Sequence, residues 1–128
     1  ALGQVKSNCD SGIFGAIQEA AVAALSDTSS FVRDQVAIYR RRRDALVNGL
    51  RSVGLDVPSP PATFYVWLPV PKGYTSEKFC TRLLEEADIV MTPGNGFGRP
   101  GEGFARAALT VSESRILEAV ERIRRLVW

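Results

Sequence analysis

Histidine is missing from all 128 residues, which removes Ser-His-Asp and Cys-His catalysis, His-ligated zinc and histidine proton shuttles together. Only two cysteines occur, Cys9 and Cys80. They are too few for a disulfide framework and read as reduced thiols of a cytoplasmic chain. Lysine is nearly as scarce, with Lys6, Lys72 and Lys78 the complete set. Met91 is the one methionine, and the chain opens on Ala1, as a processed protein or a cut piece of a longer one would. No basic start followed by an apolar core marks a signal peptide. No apolar run reaches the roughly 18 residues of a membrane span. Charge of one sign is lacking too: 16 basic residues against 14 acidic leave a formal +2. That balance argues against nucleic acid or an anionic membrane as a partner held by bulk electrostatics.

What is present suits a globular fold. Hydrophobic residues make up 45% and charged ones 23%. One domain, or one domain with part of another, would bury about two-thirds of its unfolded surface. After the polar stretch Gln4–Gly12, a helix is expected with Asp10 or Ser11 as its cap. Ile13, Ile17, Ala20, Ala21, Ala24 and Leu25 share its face. Its side chains are small, so it should pack closely against a body that the rest of the chain does not obviously supply. Ser26–Ser30 is a turn cluster. Val32, Val36, Tyr39, Arg43, Leu46, Leu50 and Val53 then recur at alternating steps of 4 and 3. That is one stripe of a helix of about six turns, with Gly54 as its stop.

Beyond the Pro58–Pro61 break, Phe64–Leu68 reads as a strand. A helix begins at Thr75 or Ser76 and should bury Phe79, Cys80, Leu83, Leu84 and Ala87. Ile89–Met91 reads as a short buried strand, Thr92–Gly101 as a long glycine loop, and Phe104–Val111 as another strand. Ser112 caps a last helix with the stripe Ile116, Val120, Ile123 and Val127. Glu118 with Arg122 and Glu121 with Arg125 are its expected i,i+4 pairs. From residue 28 the order is α-β-α-β-β-α. It predicts an α+β fold, a two-layer sandwich with helices on one face of a mostly antiparallel sheet.

Arg106 is the sharpest candidate for chemistry. Strand alternation places Phe104, Arg106, Ala108 and Thr110 on one face and Ala105, Ala107, Leu109 and Val111 on the other. An arginine amid small apolar neighbours is costly to bury without an anion, and its planar fork suits a carboxylate. The alternative is an arginine at an edge or facing solvent. The Pro93–Gly98 loop could cradle an anion with its N–H groups. It lacks the lysine of a P-loop and does not meet the dinucleotide fingerprint, so it reads as a flexible connection. Arg40–Arg43 spread around a helix at 100° steps and make no single basic face. Asp10 and Ser11 are accounted for by capping, whereas Lys6 and Asn8 are not.

Three blocks together resemble the C-terminal part of a class I/II aminotransferase of fold type I. They are Val5–Phe14 with Ala16-Ile17-Gln18; Ala62–Trp67; and Thr92-Pro93-Gly94 with Phe97-Gly98, then Gly101–Thr110. The subgroup nearest in pattern is the LL-diaminopimelate and aspartate aminotransferase-like enzymes. The resemblance implies residues 1–27 as a remnant of the large domain, 28–54 as the interdomain helix and 55–128 as the small C-terminal domain. It implies a homodimer whose pyridoxal phosphate moves an amino group between an amino acid and a 2-oxo acid. It gives Arg106 the substrate α-carboxylate. Asn8, with Ser7, falls near the neighbouring subunit's active site, and Phe64 and Gly94 near the substrate entrance.

One departure stands out. The family's chemistry needs a Schiff-base lysine in a Ser-x-x-Lys-like turn, which belongs upstream of Lys6-Ser7-Asn8. Lys6, Lys72 and Lys78 do not match it, and the segments for the phosphate cup and the cofactor ring are missing as well. The isolated chain is therefore expected to be inactive and to hold no cofactor. The competing expectation is a non-enzymatic α+β module that binds a ligand or partner through the same sheet.

Overall fold

The computed structural model describes residues 1–9 and 12–126. Asp10 and Ser11, expected as caps, and Val127, expected in the last stripe, lie outside the described residues. The chain divides into two compact units, Ala1–Val32 and Arg33–Trp128.

The first unit holds helices α1 (Leu2–Cys9) and α2 (Gly15–Ser26), neither of which has a buried residue. The opening polar stretch, expected as a capping loop, is thus largely helical. Ser7 Oγ and Asn8 Nδ2 both donate back to the Gln4 carbonyl, at 3.0 and 2.8 Å. Helix α2 starts later than expected, with Phe14 at the cap position and no side-chain bond there. Ahead of the next helix, Asp27 accepts from the backbone N–H and hydroxyl of Ser29, at 2.8 and 2.7 Å. Those two bonds, the hydroxyl's foremost, hold the Asp27 carboxyl below its ordinary range.

Helix α3 (Phe31–Ser52) closes as predicted. Gly54 takes φ +88 and the Leu55 N–H reaches back to the Leu50 carbonyl at 3.1 Å, the bond pattern of a left-handed C-terminal cap. Only the C-terminal half of its stripe is buried. Leu46 and Leu50 enter the core together with Val47, whereas Val36 is exposed. Gly49 allows the close approach of the last helix, α5 (Glu113–Arg124), because a Cβ there would meet Val120 Cγ2 at 2.5 Å.

Strands β1 (Tyr65–Pro69), β2 (Thr92–Pro93) and β3 (Phe104–Ala108) form an antiparallel sheet in the order β1-β3-β2. Between them lies helix α4 (Ser76–Ala87), with Thr75 accepting from the Lys78 N–H as its cap. Helix α5 (Glu113–Arg124) ends the fold, capped by Ser112. Val66, Leu68, Ala105 and Leu109 from the sheet side meet Leu50, Phe79, Leu83 and Ile123 from the helices, all essentially without exposure. The α+β sandwich and the element order from residue 28 are as expected.

Four details differ. Leu84, expected inside, is 51% exposed. Ile89–Met91 is not a strand: Val90 is exposed, and the Ile89 N–H closes helix α4 on the Leu83 carbonyl at 3.0 Å. Pairing with β3 begins only at Thr92. Strand β3, expected to run to Val111, stops at Ala108, and Val111 is exposed whereas Ala105, Ala107 and Leu109, expected on its face, are buried. On helix α5, Glu121 meets Arg124 rather than Arg125. Glu118 there bonds both Arg122 and Arg115 at 2.5 Å. The Arg122 hydrogen bond is the main cause that pulls its carboxyl below the ordinary range.

The two thiols sit in opposite environments. Cys9 is exposed and Cys80 buried, and burial raises the Cys80 pKa. In the isolated 128-residue chain at pH 8, a disulfide reagent is expected to titrate Cys9 within minutes and Cys80 only after denaturant is added. Equal rates without denaturant would show that helix α4 does not protect its inner face. Because folding holds the Cys80 proton more tightly, the associated stability is complete below the unfolded thiol pKa. It fades as pH rises through the folded one.

Candidate functional site

Arg106 stands mid-way along the central strand, opposite Trp67 on β1 and Thr92 on β2. Alternation sends Ala105 and Ala107 into the core and leaves Arg106 half-buried on the other face. Tyr65 and Trp67 share that face. The guanidinium carbon lies 4.2 Å from the Tyr65 ring centre and 4.4 Å from that of Phe97. Trp67 meets Phe97 edge-on at 5.4 Å and Phe104 at 6.2 Å. Phe64 leans on Tyr65 with ring centres 4.4 Å apart.

Among the described residues Arg106 has no hydrogen bond or ion pair, and its Nε is buried without a partner. A cation so placed is stabilised in part by the ring quadrupoles. Its donors remain available, and an unpaired donor in a low-dielectric setting favours an incoming anion strongly. A planar carboxylate matches the guanidinium edge with two parallel bonds. Beside it, Trp67, Phe97, Pro100, Gly101 and Phe104 line an open apolar hollow of about 400 Å³.

The glycine loop is structured. Two 3-10 turns, Gly94–Phe97 and Arg99–Gly101, replace the flexible connection expected. A Cβ on Gly94 would lie 2.0 Å from the Gly101 carbonyl oxygen and 2.7 Å from that of Phe104. One on Gly101 would lie 2.0 Å from the Gly94 oxygen. Buried Ser76, the first residue of α4, secures the far end. Its N–H donates to Glu102 Oε1 at 2.9 Å, and its Oγ accepts from the Gly103 and Phe104 N–H groups at 2.9 and 3.2 Å. Helix α4 thereby fixes where the loop rejoins the sheet.

Of the residues singled out from sequence, Arg106, Phe64 and Gly94 gather in the second unit. Phe64 reaches Arg106 through Tyr65, and Gly94 opens the turn that carries Phe97. Asn8 lies in the first unit, exposed on α1, with Nδ2 on the Gln4 carbonyl. Tyr65, Trp67, Phe97 and Phe104 were not legible as site residues. Alternation puts Tyr65 and Trp67 on one face, but only the register sets them beside Arg106. In the arginine run, Arg42 donates to the Leu109 carbonyl at 3.0 Å and Arg43 to that of Pro60 at 3.3 Å. Arg41 approaches Glu113 at 3.6 Å. Among the described residues no acidic or thiol cluster suits a metal, and no helix is long and apolar enough to cross a membrane.

The second unit is thus a helix-backed antiparallel sheet that carries a ring-framed arginine on the face away from the core. The sequence model for aminotransferase class I and II matches residues 1–123, and the chain belongs to that family. It is 54% identical over 125 residues to LL-diaminopimelate aminotransferase of Nitratidesulfovibrio vulgaris, covering 98% of this chain and 32% of the relative. The corresponding figures for the Moorella thermoacetica enzyme of that name are 49% over 127 residues, 99% and 33%. Among solved structures, a probable N-succinyldiaminopimelate aminotransferase from Thermus thermophilus superposes with a TM-score of 0.86. It is 35% identical, covering 96% of this chain and 33% of that one. An aromatic aminotransferase from Pyrococcus horikoshii gives 0.80 at 36% identity, covering 85% and 30%. The chain thus spans about a third of the length of the relatives it matches.

Family membership implies pyridoxal phosphate in the full-length enzyme. The residues described here do not by themselves fit that group. Lys6, Lys72 and Lys78 are all exposed, on α1, in the turn after β1 and on α4. An anchoring amine needs a desolvated setting to lose its proton. The buried orphan donor belongs to a guanidinium, whose match is a carboxylate rather than an aldehyde.

Proposed function

We propose that the chain is the C-terminal portion of a pyridoxal-phosphate-dependent aminotransferase and supplies the arginine that holds the substrate α-carboxylate. In this reading residues 1–27 are a remnant of the large domain, 28–54 the interdomain helix and 55–128 the small domain. The intact enzyme is a cytoplasmic homodimer that moves an amino group between an amino acid and a 2-oxo acid. Its donor is LL-diaminopimelate, the compound named for relatives 49 to 54% identical to it. The observation that carries this reading is the Arg106 guanidinium, framed by two rings and held by no hydrogen bond or ion pair among the described residues.

The chain's part in the reaction is to bind and orient. Arg106 fixes the carboxylate end of the substrate, which sets the reacting carbon at a repeatable distance from the sheet. The aromatic surround lowers the polarity around the guanidinium, which strengthens its pairing with a carboxylate. Phe64 and Gly94 line the approach to Arg106, and Asn8 serves the neighbouring subunit's site. The Schiff-base lysine and the rest of the cofactor site belong to the large domain.

The test is amino transfer by the full-length enzyme, from LL-diaminopimelate to a 2-oxo acid, beside the isolated 128 residues. Turnover by the former and none by the latter is expected. Turnover with a different amino acid alone would overturn the substrate, and no transfer from any amino acid would overturn the activity. Turnover by the isolated residues would overturn the missing lysine.

A further inference from the structure

We infer that Tyr65 and Phe97 are positioning residues that hold the Arg106 guanidinium in the orientation that accepts a carboxylate. This rests on the proposed role of Arg106 and goes beyond it. An arginine side chain is long and rotatable, and its reach is not set by its backbone position alone. Here no hydrogen bond or ion pair among the described residues fixes it. What touches its cationic end are two ring faces, at 4.2 and 4.4 Å. Such contacts attract a cation without using its N–H donors. The rings therefore restrain the guanidinium and leave its donors for a ligand, which a carboxylate partner in the same place would not do.

The two rings come from opposite flanks of β3. Tyr65 lies on β1, paired with Ala108 two residues beyond Arg106. Phe97 ends the 3-10 turn that leaves β2 on the opposite flank of β3. Its place is set by the backbone contact of Gly94 with Gly101, and Trp67 braces it edge-on at 5.4 Å. With Nε buried, the outer Nη edge is left as the docking edge. The glycine loop thus serves to deliver a ring to the arginine.

The experiment is steady-state kinetics of the full-length enzyme carrying Phe97→Leu, Phe97→Tyr, Tyr65→Leu, Tyr65→Phe and Arg106→Ala. Each leucine variant is expected to raise KM for the amino acid and the 2-oxo acid together, about tenfold, with kcat within about twofold. Both substrates carry the α-carboxylate, so both should respond. Phe97→Tyr and Tyr65→Phe keep a ring face and are expected to stay near wild type. Phe97 is 49% exposed, so its truncation opens no core cavity. Wild-type KM values in both leucine variants, or failure of both ring-keeping variants to retain affinity, would overturn the inference. If Arg106→Ala is impaired while the leucine variants bind normally, only the ring frame fails. If Arg106→Ala itself binds normally, the assigned role of Arg106 fails and the frame with it.

Discussion

Arg106→Ala in the full-length enzyme is expected to lower kcat/KM by about 10²- to 10³-fold, for the amino acid and the 2-oxo acid alike. A carboxylate brought to the aromatic face would lose a charge-assisted pair and sit among Tyr65, Trp67 and Phe97 with no donor. Losing one partner of such a pair costs about 3–4 kcal/mol, more than any neutral hydrogen bond on the sheet. Arg106→Lys should recover only part of the loss, because an ammonium offers no planar fork. The cofactor's absorbance should be unchanged in both variants, since no described residue near Arg106 suits it. An Arg106→Ala enzyme with wild-type kcat/KM would refute the role.

The second large effect is on stability. Gly94→Val is expected to destabilise the protein by about 3 kcal/mol or more, lowering the urea midpoint by about 1 M or more. The added Cβ would lie 2.0 Å from a backbone oxygen, and neither 3-10 turn can yield without the other. Gly96→Ala in the same turn is the control, for nothing lies within 4 Å of its Cβ position. It should change stability by less than about 1 kcal/mol. Equal effects at the two positions, measured by denaturant titration, would mean that the loop adjusts freely. Loss of the Gly94–Gly101 contact also displaces Phe97, so a folded Gly94 variant should weaken substrate binding as well.

Much of this was readable from residue pattern, and the exceptions have physical causes. Helix α3 was legible because its stripe runs unbroken to a glycine stop. Its N-terminal half could not be known to stay exposed, since periodicity marks a face and not its partner. Helix α1 was not legible because it has no apolar rhythm, and its Ser7 and Asn8 side chains bond back onto the Gln4 carbonyl of the same helix. The run Ile89–Met91 looked like a strand on composition alone, whereas hydrogen bonding begins three residues on, after helix α4 has used the Ile89 N–H. Arg106 was visible as an expensive charge in a strand of small residues. Its frame was not, for Trp67 and Arg106 become neighbours only through the antiparallel register, and Phe97 through a turn held by two glycines.

The strand order β1-β3-β2 has a consequence for how the protein is made. The ribosome releases the two flanking strands first and the middle one last. Until residue 108 has left the exit tunnel, β1 and β2 have no strand between them, and Val66 and Leu68 wait without their inner-sheet neighbours. Translation of the nascent chain therefore carries a window in which two unpaired edges and an apolar surface are open to chaperones or to other chains. The segment that closes that window is the one that brings Arg106, so this arginine arrives with the strand that completes the sheet.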